Sequence, residues 1–266
     1  MNDLRITLVQ APLVWENRRA NRDYFTNKLT PLAGETDLVV LPEMFTTGFT
    51  MQPSPVAETM QGPTLKWLQI QAARLRAAVT GSFVVEENGR HYNRLMFVHP
   101  NGSYQHYDKR HPFTMSGEHE QYARGTERLI VDYRGWRICP LICYDLRFPV
   151  WSRNSKADRY DLLLYVANWP DKRAYDWRTL LRARAIENQA YVVGVNRIDT
   201  DAHGLNYSGD SCAIDPGPGR DLFDAGSAEV VRTVTLSAAS LASLRRGLPF
   251  LQDGDSFSIQ LFEENK

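Results

Sequence analysis

Several runs of this 266-residue chain are apolar at nearly every position, among them "DLVVLP" (37–42), "DLLLYVAN" (161–168) and "YVVGVNR" (191–197). A strand with one wet face alternates apolar and polar residues, whereas an unbroken run belongs to a strand covered on both faces. Helices must supply that cover. Helical spacing appears at 17–30, in "PTLKWLQIQAARLRA" (63–77) and in "KRAYDWRTLLRARAIENQA" (172–190), the last with Leu180, Leu181, Ala185 and Ile186 on one stripe. "LRITLVQ" (4–10), "AAVTGSFVV" (77–85), "NRLMFVH" (93–99) and "WRICPLIC" (136–143) read as further strands. The order β-α-β-α-β, a hairpin-like middle, then β-α-β again predicts a layered α/β fold. No repeat, low-complexity tract or long linker splits the chain, and "DPGPGRDLF" (215–223) reads as a turn. One domain spanning 1–266 is therefore expected.

Charge narrows the partners. Lys plus Arg and Asp plus Glu both total 31, which favours neither nucleic acid nor an acidic membrane surface. Asp3 and Arg5 interrupt the N-terminal apolar residues, so no signal peptide is read there, and no apolar run approaches the length of a bilayer span. Three cysteines, few and odd in number, argue against a disulfide framework and for the reducing cytoplasm. Cys139 and Cys143, four apart in "CPLIC", would lie roughly 13 Å apart along a strand, too far for a disulfide. No C-x2-C pair or HExxH stretch accompanies them, so no metal and no organic cofactor is expected.

Three segments put chemistry at strand exits. In "VVLPEMFTTGF" (39–49), Glu43 emerges just past an apolar strand, with Met44 and Phe45 beside it to help desolvate the carboxylate. Ligand sites of parallel sheets lie at such carboxyl ends. In "YQHYDKRHPF" (104–113), Tyr104, His106 and Asp108 alternate with Gln105 and Tyr107 as on a strand, and Lys109 stands at its exit. In "LICYDLRFP" (141–149), Cys143 ends a strand and Pro149 suits the first position of a following helix. A thiol at such an elbow would have a lowered pKa and a backbone N–H nearby to stabilise an oxyanion. Taken singly, a surface glutamate, a solvated lysine and a core cysteine explain each segment as readily. Together they offer a base, an anion stabiliser and a nucleophile.

The stretches "LPEMF", "DKRHPF" and "ICYDLRFP", with "ANWP" (167–170) and "RARAIENQAYVVGVNR" (182–197), occur in the order seen in the nitrilase superfamily, and the chain resembles its carbon–nitrogen hydrolases from end to end. That resemblance implies a four-layer αββα sandwich and a Glu43–Lys109–Cys143 triad. "GEHEQYARG" (117–125) resembles the loop carrying a second family glutamate, and Glu118, seven residues before Gly125, fits better than Glu120. Within the superfamily, "CYDLRFP" and the "KRHPF" that precedes "GEHEQY" resemble the ω-amidases, which hydrolyse the terminal amide of 2-oxoglutaramate and 2-oxosuccinamate.

On that resemblance, Cys143 thiolate would attack the amide after giving its proton to Glu43. Lys109 and the Tyr144 backbone N–H would hold the oxyanion, and Glu118 would orient Lys109 or water. Arg147 would be either a fork for the substrate carboxylate or half of an ion pair with Asp145 or another acid. Phe45, Phe113, Tyr144 and Trp169 are candidate walls for a small amide substrate. The resemblance also implies a homodimer or larger homo-oligomer. The same triad would suit a nitrile, a carbamoyl compound or another amide, and the fold would also suit a silent binding module.

Overall fold

The computed structural model describes residues 1–156 and 158–260. In chain order the elements are β1 (Leu4–Gln10), α1 (Arg18–Leu29), β2 (Leu38–Val40), α2 (Pro63–Leu75), β3 (Ala78–Glu87), β4 (Arg90–Val98), β5 (Tyr104–Asp108) and α3 (Glu118–Gln121). Then follow β6 (Val131–Tyr133), β7 (Trp136–Ile142), α4 (Pro149–Ser152), β8 (Leu162–Ala167), α5 (Ala174–Asn188) and β9 (Tyr191–Asn196). The chain continues through β10 (Ile198–Thr200), β11 (Asn206–Ser208), β12 (Cys212–Ile214), β13 (Asp221–Asp224), β14 (Val230–Leu236) and α6 (Ala238–Gly247).

Two six-stranded sheets result, ordered β14-β1-β2-β3-β4-β5 and β13-β12-β9-β8-β7-β6, while β10 and β11 form a separate ribbon. Each large sheet has three parallel strands, β1-β2-β3 in one and β7-β8-β9 in the other, extended on both sides by antiparallel neighbours. The predicted strands and helices at 4–10, 17–30, 37–42, 63–77, 77–85, 93–99, 136–143, 161–168 and 191–197 all appear, with ends shifted by a few residues.

The unbroken apolar runs follow from where these strands lie. Along β1, Leu4, Ile6 and Leu8 face a core shared with Ile138, Leu141 and Leu164 of the other sheet, while Val9 turns the opposite way. Leu38 and Val40 of β2 join that shared core, while neighbouring Val39 and Leu41 face Phe25 and Leu29 of α1 and Leu68 and Ala72 of α2. On the second sheet, Trp177, Leu181 and Ala185 of α5 supply the cover. Two sheets face each other and helices close the outside, which makes four αββα layers. Each large aliphatic side chain buried this way contributes about 1.5–3 kcal/mol.

Beyond residue 197 the chain adds β10 to β14 and α6, none of which stands out as an apolar run. The stretch 215–223 is the turn between β12 and β13 together with the start of β13. Gly194 in β9 is where α5 comes closest to the sheet. A Cβ there would lie 2.6 Å from Leu181 Cδ1 and 2.7 Å from Trp177 Cζ2. Gly194→Ala is therefore expected to push α5 outward and cost about 1–3 kcal/mol of stability. A denaturant midpoint equal to that of the wild-type protein would refute this close packing.

Candidate active site

The carboxyl ends of β2, β5, β7 and β8 converge, and each hands over a polar residue within three positions: Glu43, Lys109, Cys143 and Asn168. Lys109 is placed by its backbone, whose N–H donates to Asn93 O (3.0 Å) and whose carbonyl accepts from Gly125 N (2.9 Å). At Gly125 a Cβ would fall 2.1 Å from Asp108 O, so this approach to the end of β5 requires glycine.

Three charged side chains meet with almost no exposure: Glu43 at 0%, Lys109 at 1% and Glu118 at 0%. Lys109 Nζ donates to Glu43 Oε1 (2.9 Å) and to both oxygens of Glu118 (3.0 and 2.8 Å). Asn93 Nδ2 bridges the two acids, at 2.8 Å from Glu43 Oε1 and 3.3 Å from Glu118 Oε1. Glu43 Oε2 accepts from the Asn168 backbone N–H (2.7 Å), and Glu118 Oε2 accepts from the Phe113 N–H (2.5 Å). Every oxygen of the pair thus accepts at least one hydrogen bond. Burial and the neighbouring Glu43 charge still raise the Glu118 carboxyl above its usual range, with Lys109 opposing them. The choice between Glu118 and Glu120 falls to Glu118, because the Glu120 side chain is exposed.

Cys143 opens a short 3₁₀ turn, Cys143–Arg147, with φ of +43°. Few non-glycine residues adopt that region, and holding one there costs on the order of 1–3 kcal/mol. Asp145 supplies the restraint. Its carboxylate accepts from Ile142 N (3.0 Å), Tyr107 OH (2.7 Å), His111 N (3.0 Å) and His111 Nδ1 (2.7 Å), which ties the elbow to the loop after β5. Pro149 begins α4, as its position suggested.

The expected lowering of the Cys143 pKa is not found. Burial raises the thiol well above its usual range, Glu43's charge adds to this, and Lys109 only partly opposes them. The short 3₁₀ turn cannot outweigh a cluster in which two carboxylates face one ammonium. The thiol rests in its neutral form, beside the Glu43 carboxylate and 3.9 Å from Asn168 O.

Cys143 opens on a cavity of about 200 Å³ that is also lined by Lys109, Phe113, Tyr144, Arg147 and Trp169. Phe45 does not reach it. Met44 has φ of +43° and turns the chain, and Phe45 N then bonds to Ser82 O (3.0 Å). The Phe45 ring consequently packs among Phe25, Trp67 and Phe83 in the core beneath α1 and α2. Arg147 reaches the cavity wall, and its acid partner is Asp176 of α5 at 2.7 Å, not Asp145. Asn93 and Asn168, both in the hydrogen-bond shell of Glu43, escaped the sequence reading, as did Asp201, His203 and Tyr207 on the β10–β11 hairpin. Asn93 pointed inward from a strand and Asn168 followed an apolar run, a signal available in "YVAN". Among the described residues, no three His, Cys, Asp or Glu side chains group as a metal site, and no helix is long and apolar enough to cross a membrane.

Residues 5–246 match the carbon–nitrogen hydrolase family. The chain is 45% identical over 260 residues to omega-amidase YafV of Escherichia coli K12, covering 97% of this chain and 100% of that one. It is 32% identical over 220 residues to the 2-oxoglutaramate amidase of Bacillus subtilis 168, covering 82% and 84% of the two chains. A crystal structure of XC1258 from Xanthomonas campestris, a CN-hydrolase superfamily protein with an arsenic adduct in its active site, matches with a TM-score of 0.96 at 50% identity. That match covers 98% of this chain and 100% of the other. A family match across most of the length, joined to near-complete coverage of such relatives, means that this chain belongs to the carbon–nitrogen hydrolase family.

Proposed function

We propose that this chain is an ω-amidase, which hydrolyses the terminal amide of a small 2-oxo acid amide such as 2-oxoglutaramate to the dicarboxylate and ammonia. The observation that carries the reading is the buried Glu43 carboxylate, bonded to Lys109 and beside the Cys143 thiol, at the floor of a cavity whose wall holds Arg147 and Arg173. The names borne by the Escherichia coli and Bacillus subtilis relatives support the substrate class.

A primary amide is a poor electrophile, and its nitrogen leaves only once protonated. Cys143 Sγ forms a bond to the amide carbon while its proton passes to Glu43, so no free thiolate is needed beforehand. Lys109 Nζ and the backbone N–H of Tyr144, in the first turn of the 3₁₀ segment, hold the tetrahedral oxyanion. As the C–N bond breaks, Glu43 returns the proton to nitrogen and ammonia departs. Water then attacks the thioester and gives a proton to Glu43; the C–S bond breaks and the thiol is restored. Glu118 keeps Lys109 in place throughout. Phe113, Tyr144, Arg147 and Trp169 wall the space for the rest of the substrate.

The same reading takes residues 1–266 as one catalytic domain, because a single core cluster joins both sheets. It also places the protein in the cytoplasm as a homodimer or larger homo-oligomer. Three free, buried cysteines suit a reducing compartment. Tyr175 and Ile186, exposed and about three turns apart on α5, suit a face covered by a second copy.

The direct test is ammonia release from 2-oxoglutaramate, simple nitriles and carbamoyl compounds, with mass spectrometry of the protein during turnover. Preferred release from 2-oxoglutaramate with an acyl adduct on Cys143 is expected, and neither should survive Cys143→Ala; preference for a nitrile or an adduct elsewhere would reject the reading. Glu43→Gln keeps the shape but accepts no proton, so single-turnover thioester formation should fall by about 10²–10⁴. An unchanged rate would remove Glu43 from the proton path. The neutral resting thiol predicts that inactivation by iodoacetamide speeds up with pH, about tenfold per unit, without levelling through pH of about 9. A plateau near neutrality would mean a resting thiolate.

A further inference from the structure

The cavity above Cys143 contains two guanidinium groups that are not equivalent. Arg147 is neutralised by Asp176 at 2.7 Å and lies 4.9 Å over the Trp169 ring. Arg173 lines the same cavity, and among the described residues no carboxylate lies within ion-pair distance of it. Its guanidinium sits 5.4 Å over the Phe113 ring. That stacking leaves the edge of the fork available, since the donors of a guanidinium lie in its plane. The backbone beneath it is fixed as well. Pro170 precedes the 3₁₀ turn Asp171–Arg173, and Trp169 Nε1 donates to Arg173 O at 2.7 Å.

The acid in the cavity wall does not compete for this cation. Asp201 Oδ1 accepts from His203 N (2.8 Å) and Leu205 N (3.0 Å), and Oδ2 accepts from Tyr207 OH (3.0 Å), so its carboxylate serves its own hairpin. Lys109 is likewise engaged by Glu43 and Glu118. Of the cations lining the cavity, Arg173 alone has no carboxylate partner among the described residues. An anion gains little from a guanidinium already paired with a fixed carboxylate, and much more from one that is not.

We propose that Arg173 is the specificity-determining residue that receives the substrate carboxylate, with Arg147 held by Asp176 as part of the wall. This deepens the amidase reading and rests on it.

The experiment measures kcat/KM for 2-oxoglutaramate and for pentanamide, a neutral amide of equal chain length, in the wild-type, Arg173→Gln, Arg173→Lys and Arg147→Gln proteins. The readout is the ratio of the two values, which does not depend on the fraction of protein that is folded. Arg173→Gln is expected to lower the ratio by about 10², mainly through KM, as when a charge-assisted pair loses its donor. Arg173→Lys, which keeps the charge without the planar fork, should lower it by about tenfold. Arg147→Gln should lower it less than either. A high wild-type ratio that Arg173→Gln preserves, or a larger drop in Arg147→Gln, overturns the assignment alone. A wild-type ratio near one overturns the 2-oxo acid amide reading and this assignment with it.

Discussion

A lysine ammonium buried between two carboxylates is the constraint around which the rest of this protein is arranged. Leaving any one of the three charges unpaired in that interior would cost several kcal/mol. The cluster is therefore built with its donors in place: Asn93 from β4, the Phe113 N–H from the loop after β5 and the Asn168 N–H from the end of β8. The first two come from the sheet that carries Lys109, and the third comes from the opposite sheet. Completing the shell of Glu43 thus requires the two sheets to close, and the site is assembled by the same step that forms the shared core. Burial chiefly sets the state of Cys143, and the neighbouring Glu43 carboxylate adds to it, because a thiolate there would be a further negative charge in the interior.

The stretch "CYDLRFP" gains a physical account from Asp145. A cysteine at φ of +43° needs a restraint on its far side, and Asp145 reaches the N–H before the cysteine, Tyr107 OH of β5 and both N and Nδ1 of His111 on the loop after β5. It fixes the Cys143 elbow relative to the segment that carries Lys109. Around it, His111 stacks on Phe148 at 3.8 Å, and Tyr144 packs edge-on against both Phe148 and Phe113. The aromatic residues beside the cavity are held by this chain of rings, so the wall is stiff without help from a bound ligand.

What the sequence disclosed follows from how strongly each feature is imprinted. Strands covered on both faces must be apolar throughout, so β1, β2, β8 and β9 were legible, and the residues leaving β2, β5 and β7 were marked as candidate chemistry. Strands β10 to β13 are only three or four residues long, and β14 is largely half-exposed, so neither length nor continuous apolarity announces them. Phe45 was misplaced because the left-handed turn at Met44, a bulky residue rather than glycine, gives no sign in composition. The thiol was misjudged because a strand-to-helix elbow suggests a dipole, whereas burial dominates and the carboxylates brought in from positions 43 and 118 add to it, neither of which the local sequence shows. Asn93 and Asn168 belong to the same class of long-range facts.

The charge distribution along the cavity sets a direction for the substrate. At the floor, two acids, Glu43 and Glu118, share one ammonium, Lys109; toward the wall, Arg147 and Arg173 balance Asp176 and Asp201. A molecule carrying an amide at one end and a carboxylate at the other is repelled from the floor by its anionic end, while its neutral end meets no such barrier. On the proposed ω-amidase reading it enters amide first, which presents the scissile carbon to Cys143. Hydrolysis then turns that neutral end into a second carboxylate beside two acids with one shared cation. The product is less well tolerated at the floor than the substrate it came from, and the cluster that positions the reactants also favours their departure.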